Sequence, residues 1–216
     1  MNQKERQLRR DILNASFKAG ACHLGGSFSC LEILMNIMYE IKPDYFLFGK
    51  ASGEAAYYSI LCDQGYFKKN MLVYYLKNYP LSSKEVPGVL HSCGSVGHGL
   101  PVAVGLAYAN PKKTVYCLIS DGDVMEGTTW ESALFARQHK LTNLYVVVDN
   151  NKMVACGATE DILGLDTAFD FLNKTLPNCF IMDTVKGEGV SFMAGDYEWH
   201  YKNLDKDLLK KALSEI

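Results

Sequence analysis

Two short polar motifs, each following an apolar run, restrict what this chain can fold into. Ser-Asp-Gly at 120–122 follows the run at 114–119, and Asn-Asn at 150–151 follows the run at 144–148. Both runs are rich in β-branched and aromatic residues, which favours strands. In open α/β sheets, ligands bind at the carboxyl ends of the strands. A carboxylate and an amide at two such ends offer the oxygen ligands that Mg²⁺ prefers, usually beside a phosphate.

The rest of the chain alternates helical and strand patterns. Apolar spacing predicts a helix over 4–19 that ends at Gly20, followed by a loop at 23–27. Ser29 and Glu32 then match a capping box, which predicts that Ser29 caps a helix reaching about Ile41. Further helices are predicted at 54–64, 70–78, 100–109, 128–140 and 204–214, a third strand at 180–184, and loops at 42–53 and 80–94. This alternation predicts one α/β domain over 1–216 with a mostly parallel sheet and helices on both faces.

A glycine-rich loop precedes the helix predicted at 100–109. It contains Gly94, Gly97 and Gly99, and the free N–H groups at a helix N-terminus attract phosphate oxygens. Gly122 likewise lets the backbone approach a phosphate closely, because it has no Cβ. A single glycine-rich loop is weak evidence, and Asp or Asn after a strand also forms ordinary turns and helix caps.

Taken together, these blocks resemble the diphosphate-binding domain of transketolases. The resemblance covers 118–157, including Asp-Gly-Asp-Val-Met-Glu-Gly at 121–127, and extends to four further blocks in the same order as in that family. These are His-Leu-Gly-Gly-Ser at 23–27, Gly-Ser-Val-Gly-His-Gly-Leu at 94–100, Val-Lys-Gly-Glu-Gly-Val-Ser-Phe-Met at 185–193 and Trp-His at 199–200. The expected fold is therefore the three-layer thiamin diphosphate-binding fold.

The resemblance implies thiamin diphosphate and Mg²⁺ (or Ca²⁺) as cofactors. It assigns the metal to Asp121, Asn151 and the backbone carbonyl of Met153. The cofactor-binding residues that it implies are Gly94, Ser95, Gly97, Ser120, Asp121, Gly122, Asp123, Asn151 and Lys186. Ser120 stands where the family has glycine. Two effects are consistent with the sequence: the serine hydroxyl donates a hydrogen bond to a phosphate, or the serine Cβ crowds the phosphate.

Four residues are implied as catalytic, and each has a plainer alternative. His23 is expected to touch the donor sugar or the cofactor, although a histidine there can also cap a helix. His98 and His200 are expected near the cofactor, whereas a solvated loop histidine and a packing Trp-His pair are the alternatives. Glu126 matches a glutamate that the family has at the interface between subunits. The alternative is that its negative charge stabilises the N-terminal end of a helix dipole.

Three departures from the family bear on the substrate. Ser52 and Tyr79 stand where the family has histidines, and the segment at 151–185 is several dozen residues shorter. His91 lies near Tyr79 in the sequence and is a candidate to replace the histidine lost there. Fewer imidazoles leave fewer groups to bind sugar hydroxyls and move protons. The departures predict a substrate other than the usual pentose or hexose phosphates.

A second chain is also implied. The 216 residues contain no counterpart of the family's pyrimidine-binding domain, so the chain resembles the N-terminal subunit of a split transketolase. A separate C-terminal subunit carrying that domain is expected, with two copies of each chain. The expected reaction moves a two-carbon ketol unit from a ketose to an aldehyde. The alternatives are a non-catalytic partner and one chain of a thiamin diphosphate-dependent lyase or decarboxylase.

The composition excludes several other classes. A formal net charge of −2 gives no bulk attraction to nucleic acid or to an anionic membrane. The apolar run at 31–39 is too short to span a bilayer, and no GxGxxG or Walker pattern indicates a nucleotide site. The 7 cysteines form no CxxC pair, which predicts reduced thiols and a cytoplasmic location.

Overall fold

Four parallel strands form the central sheet in a computed structural model that describes residues 1–216. The strands are β1 (Tyr45–Phe48), β2 (Val115–Ser120), β3 (Leu144–Asn150) and β4 (Cys179–Asp183). They lie in the order β1-β2-β3-β4, and Ser120 is in register with Asp149. The β2 and β3 ends therefore reach the same edge of the sheet.

Helices cover both faces of the sheet. One face packs against α1 (Gln3–Ala19), α2 (Leu24–Met35), α3 (Glu54–Asp63), α4 (Leu72–Asn78) and α10 (Lys206–Glu215). The other face packs against α5 (Gly99–Ala109), α7 (Gly127–Gln138) and α9 (Asp166–Thr175). The predicted α/β fold with a parallel sheet between two helical layers is confirmed.

Several shorter elements complete the chain. A π-helix at Asn36–Ile41 continues α2, and 3₁₀ turns lie at Lys69–Met71 and Tyr197–His200. Two four-residue helices, α6 (Asp121–Val124) and α8 (Thr159–Ile162), follow β2 and β3 respectively. No helix has both the length and the apolar character needed to cross a membrane.

The predicted start of the second helix was wrong. α2 begins at Leu24, inside the predicted loop at 23–27, and His23 occupies its N-cap with a left-handed φ of 64°. The His23 side chain makes no capping hydrogen bond to the helix. Ser29 lies within α2 instead of capping it, and Glu32 pairs with Arg9 at 3.4 Å instead of closing a capping box.

Strand β1 lies within the predicted loop at 42–53, so that part of the loop prediction was also wrong. Its four residues, Tyr-Phe-Leu-Phe, show no polar alternation, because both faces of the strand are covered. Gly49 and Lys50 then both donate backbone hydrogen bonds to the Leu118 carbonyl. These bonds attach the start of the loop at 49–53 to β2 and bring the Lys50 side chain under the site.

Candidate active site

A cleft of about 610 Å³ opens at the carboxyl ends of β2 and β3. This is the edge where the α/β architecture predicts a ligand, and the volume suits a cofactor-sized molecule. Most of the site residues predicted from the sequence line this cleft. They are His23, Gly94, Ser95, Ser120, Asp121, Gly122, Glu126, Asn151, Met153, Lys186 and His200. A larger cleft of about 730 Å³ lies elsewhere, around Asp44, Phe46 and Tyr66, and contains none of the predicted site residues.

Asp121 and Asn151 converge on one backbone group within the cleft. The Met153 N–H donates to Asp121 Oδ2 at 3.3 Å and to Asn151 Oδ1 at 3.1 Å. Asp121 directly follows β2 and Asn151 directly follows β3, so the sheet register places both side chains at one point. Two oxygens of the kind that Mg²⁺ binds thus face the same small space.

The chemistry of this pair fits a divalent cation whose remaining ligands come from a diphosphate. Asp121 is 1% exposed and Asn151 is 5% exposed. Burial raises the pKa of Asp121 to about 6, and the nearby Lys50 ammonium opposes the rise. No group of three or more His, Cys, Asp or Glu residues is placed to hold a metal.

Met153 presents its N–H, and not its carbonyl, to these two side chains. Its carbonyl accepts a hydrogen bond from Lys186 Nζ at 3.3 Å, and the Val154 carbonyl accepts another at 3.0 Å. The third-ligand role of the Met153 carbonyl remains a prediction. In this arrangement the ammonium group of Lys186 occupies one of the two lone pairs of the carbonyl oxygen.

A buried ion pair that sequence reasoning missed lies behind Asp121 and Asn151. Lys50 Nζ lies 2.6 Å from Asp149 Oδ2, and the two side chains are 1% and 0% exposed. The Ser29 hydroxyl donates to the same carboxylate oxygen at 2.7 Å, and the Thr184 hydroxyl donates to the other oxygen. The sequence signals were a carboxylate one residue before the Asn-Asn motif and a lysine, Lys50, that stands where the resembled family also has lysine.

The glycine-rich loop is fastened to the end of β2 by Asp123. This fully buried carboxylate accepts hydrogen bonds from the Gly97 N–H at 2.6 Å and from the Ser120 N–H at 2.7 Å. The Ser120 hydroxyl caps α6 and also bonds Asp123. Asp123 and the Ser120 hydroxyl are therefore engaged within the protein. This geometry gives them a part in shaping the site and does not show direct phosphate contact.

Gly97 is required by the way this loop packs. Its φ is +80°, and a Cβ would lie 2.5 Å from Thr128 Oγ1 and 2.6 Å from Glu126 Cβ. We expect Gly97→Ala to lower the free energy of unfolding by about 2–4 kcal/mol, from left-handed strain and overpacking. Gly105→Ala is the matched control, because a Cβ there meets nothing within 4 Å. The control should be neutral or stabilising by up to about 1 kcal/mol. Equal losses in urea unfolding of the two variants would contradict the prediction.

Two histidines and a lysine line the other side of the cleft. The His23 and His200 rings meet edge to face, with centroids 4.8 Å apart, and Lys186 Nζ lies 3.5 Å from His200 Nδ1. Burial and the neighbouring Lys186 lower the pKa of His23 to about 4 and the pKa of His200 to about 3. Burial and the charge of Lys50 lower the pKa of Lys186 to about 8. Both imidazoles are therefore neutral at pH 7.

These two histidines should make the protein sensitive to acid. Below their ordinary pKa of 6.5, the unfolded chain binds protons that the folded chain does not. The free energy of unfolding should therefore fall as the pH drops from 6.5 toward the folded-state values. In urea titrations, the double variant His23→Gln/His200→Gln should make the free energy of unfolding depend less on pH. The control His139→Gln, at an exposed helix end, should leave that dependence unchanged. An unchanged slope in the double variant would show that the acid sensitivity arises elsewhere.

The remaining predicted residues divide between the cleft and its surroundings. Glu126 lines the cleft at the N-cap of α7, and its interface role remains a prediction. His98 is exposed at the N-cap of α5 and does not line the cleft, so the geometry of this chain gives its catalytic role no support. Ser52 does line the cleft, whereas Tyr79 and His91 do not. His91 therefore does not replace the missing imidazole in this arrangement.

Comparisons with known proteins find similar chains over most of this sequence. Residues 71–215 match the family described as thiamine pyrophosphate enzyme, C-terminal TPP binding domain. The chain is 34% identical to an apulose-4-phosphate transketolase subunit of Actinobacillus succinogenes, over 100% of this chain and 95% of that protein. It is 27% identical to a 6-deoxy-6-sulfo-D-fructose transketolase subunit of a Clostridium species, over 97% of this chain and 93% of that protein.

A solved structure shows the same fold. The transketolase of Campylobacter jejuni superposes with a TM-score of 0.85 at 23% sequence identity. The match covers 98% of this chain but only 42% of that protein, so the chain spans about two fifths of the length of this transketolase. The family match and the 34% identical relative establish more than a shared fold, because they extend over most of the sequence. The chain belongs to the transketolase family of thiamine pyrophosphate enzymes, as a relative of the members that are named as separate subunits.

Proposed function

We propose that this chain is the cofactor-binding, N-terminal subunit of a split transketolase that moves a two-carbon ketol unit from a ketose to an aldehyde. The observation that carries the proposal is the convergence of Asp121 and Asn151 beside the glycine-rich loop. It occurs in a chain 34% identical to a protein named as one subunit of a transketolase. We further propose Mg²⁺, or Ca²⁺ in its place, as the metal between these residues and the diphosphate.

The residues of this chain have distinct parts in the proposed reaction. Thiamin diphosphate, when bound, supplies the group that stabilises a carbanion. Asp121 and Asn151 would hold its diphosphate through the metal. A Cβ at Gly122 would make only ordinary contacts, at 3.4 Å to Val154 and 3.5 Å to Ser120, so no packing within this chain demands glycine there. The close approach of a phosphate remains the reason that we propose for it.

His23, His200 and Lys186 would bind the sugar substrate. Neutral imidazoles can accept a proton from a hydroxyl or donate one to it, and both rings border the cleft. Lys186 is 2% exposed, and its lowered pKa lets it exchange a proton near neutral pH. We propose that the two imidazoles bind sugar hydroxyls through hydrogen bonds and that Lys186, whose pKa is about 8, is the group that exchanges a proton with them. Ser52, in place of an imidazole, gives this wall of the cleft one titratable group fewer.

The substrate is proposed to be a small ketose other than the common pentose and hexose phosphates. Ser52 borders the cleft where the family has an imidazole, so the sugar channel differs in chemistry at this point. The similar subunits are named for apulose 4-phosphate and for 6-deoxy-6-sulfo-D-fructose, which shows that such subunits serve more than one sugar. Screening should therefore include short ketoses with phosphate or sulfonate groups.

A companion chain is part of the proposal. The word subunit in the names of the relatives implies a separate partner in those proteins. We propose that 1–216 is a single diphosphate-binding domain and that the partner supplies the pyrimidine-binding domain, with two copies of each chain. The cytoplasm is proposed as the location, supported by seven cysteines that all remain free thiols.

The test is reconstitution with a co-expressed companion chain that carries a pyrimidine-binding domain. The complex should transfer a ketol unit only when thiamin diphosphate and Mg²⁺ are present, and neither chain alone should do so. Decarboxylation of a 2-oxo acid without ketol transfer would favour the lyase alternative. An active complex that tolerates Asp121→Ala would assign this chain a non-catalytic role.

A further inference from the structure

The buried serine of α2 connects the ion pair to one of the proposed metal ligands. Ser29 is 4% exposed, and its hydroxyl lies 2.7 Å from Asp149 Oδ2 and 3.2 Å from Asn151 Nδ2. Lys50 Nζ lies 3.5 Å from the same hydroxyl. The hydroxyl thus stands between a carboxylate that only accepts hydrogen bonds and an amide nitrogen that only donates them.

The direction of these hydrogen bonds follows from the number of protons available. A hydroxyl has one proton and can accept through its lone pairs. The ionised Asp149, paired with Lys50, takes that proton, which leaves the Ser29 oxygen to accept from Asn151 Nδ2. The nitrogen end of the Asn151 amide is therefore held toward Ser29. Its oxygen end then points the other way, toward Asp121 and the Met153 N–H.

We propose that Ser29 is a positioning residue for the metal ligand Asn151. The charge of Asp149 fixes the hydroxyl proton, and the hydroxyl fixes the amide so that its oxygen faces the cation. If the amide were flipped, its NH₂ group would face the metal. An amide NH₂ group cannot act as a metal ligand, so the flipped side chain would not bind the cation. The inference rests on the proposed function, because it takes Asn151 as a ligand.

A purely structural role for Ser29 is the competing explanation. The same hydroxyl lies 3.1 Å from the Gly26 carbonyl, a common local contact of helical serines. Such a role affects folding but has no reason to change metal affinity. Ser27 is the matched control, because it is a fully buried serine of the same helix and its hydroxyl has no hydrogen-bond partner.

The experiment titrates the reconstituted complex of this chain and its companion chain with Mn²⁺ at a fixed excess of thiamin diphosphate and follows free Mn²⁺ by electron paramagnetic resonance. We expect Ser29→Ala to raise the Mn²⁺ dissociation constant by about 10-fold or more, as for other residues that orient a ligand. Ser27→Ala should leave it unchanged. Circular dichroism and thermal unfolding show whether each variant is folded.

A double-variant cycle isolates the orientation effect. Asn151→Asp presents two equivalent oxygens and needs no orientation, so adding Ser29→Ala to it should change the Mn²⁺ dissociation constant much less than in the wild-type background. Equal effects in both backgrounds would overturn the proposal, as would wild-type affinity in Ser29→Ala. If the wild-type complex itself binds no Mn²⁺, the metal site of the proposed function fails as well. If the wild type binds and Asp121→Ala does not, a normal Ser29→Ala variant refutes only the role of Ser29.

Discussion

Replacement of Asp121 with alanine will abolish Mg²⁺-dependent binding of thiamin diphosphate and, with it, turnover of the reconstituted complex. Asp121 provides the only carboxylate of the proposed shell, and its oxygen faces that of Asn151. Loss of a direct ligand should exceed the roughly 10–100-fold cost of removing an outer partner. Isothermal titration with thiamin diphosphate and Mg²⁺ measures the binding, and Asp161→Ala, at an exposed position of α8, is the control.

The same substitution should not destabilise the metal-free chain. Burial raises the pKa of Asp121 to about 6, so its ionised form is less favourable in the folded chain than in the unfolded chain at pH 7. Removing the carboxylate should leave the free energy of unfolding equal or higher, although binding is lost. Such opposite effects on stability and function are typical of functional sites. A variant that unfolds before binding can be measured would instead give Asp121 a structural role.

Replacement of Lys50 with methionine will lower the free energy of unfolding by about 3–5 kcal/mol, because it leaves the Asp149 carboxylate buried without its cation. Burial opposes the charged form of Lys50, but Asp149 and the other acidic neighbours together outweigh that effect and raise the pKa of Lys50. Both side chains are almost fully inaccessible, so water cannot replace the lost charge. Urea unfolding at pH 7 measures the effect.

The double variant Lys50→Met/Asp149→Asn tests the reason for this loss. An asparagine at 149 removes the unpaired charge, offers its oxygen to one of the two hydroxyls of Ser29 and Thr184, and donates from its NH₂ group to the other. We expect it to recover more than half of the stability lost in Lys50→Met. Recovery would identify the unpaired charge as the cause. A double variant as unstable as the single one would show that packing of the lysine stem, and not its charge, accounts for the cost.

The order of elements could be predicted from the sequence because each long element carries its own periodic signal. The helix ended by Gly20 and the three longest strands are formed largely from local patterns, and the structure contains them within a few residues of the predicted bounds. The start of α2 could not be predicted in this way. His23 adopts a positive φ, and its carbonyl accepts the N–H of Ser27 in the first turn of α2.

Part of the candidate site could likewise be read from the sequence. Asp121 and Asn151 follow apolar strands, so a parallel sheet must bring them to one edge, whatever the other side chains do. His23, Lys186 and His200 were recognisable from the resemblance to transketolases, and the structure places them along one wall of the cleft. The hydrogen bond from the Gly97 N–H to Asp123 could not be predicted from the sequence. A carboxylate that is buried and one that binds a ligand look alike in a sequence.

The sequence by itself determined the fold class, the family and the two residues at the strand ends, because periodicity and short motifs are local properties of the chain. Only the tertiary structure decided what supports those residues. Ser29, Lys50 and Asp149 lie up to 120 positions apart, and no local pattern records that they share one buried network. Their pairing follows from the packing of α2 and the loop at 49–53 against the end of β3. Buried polar groups must find partners where desolvation makes an unpaired group costly, and the partner is whichever group the fold places within reach.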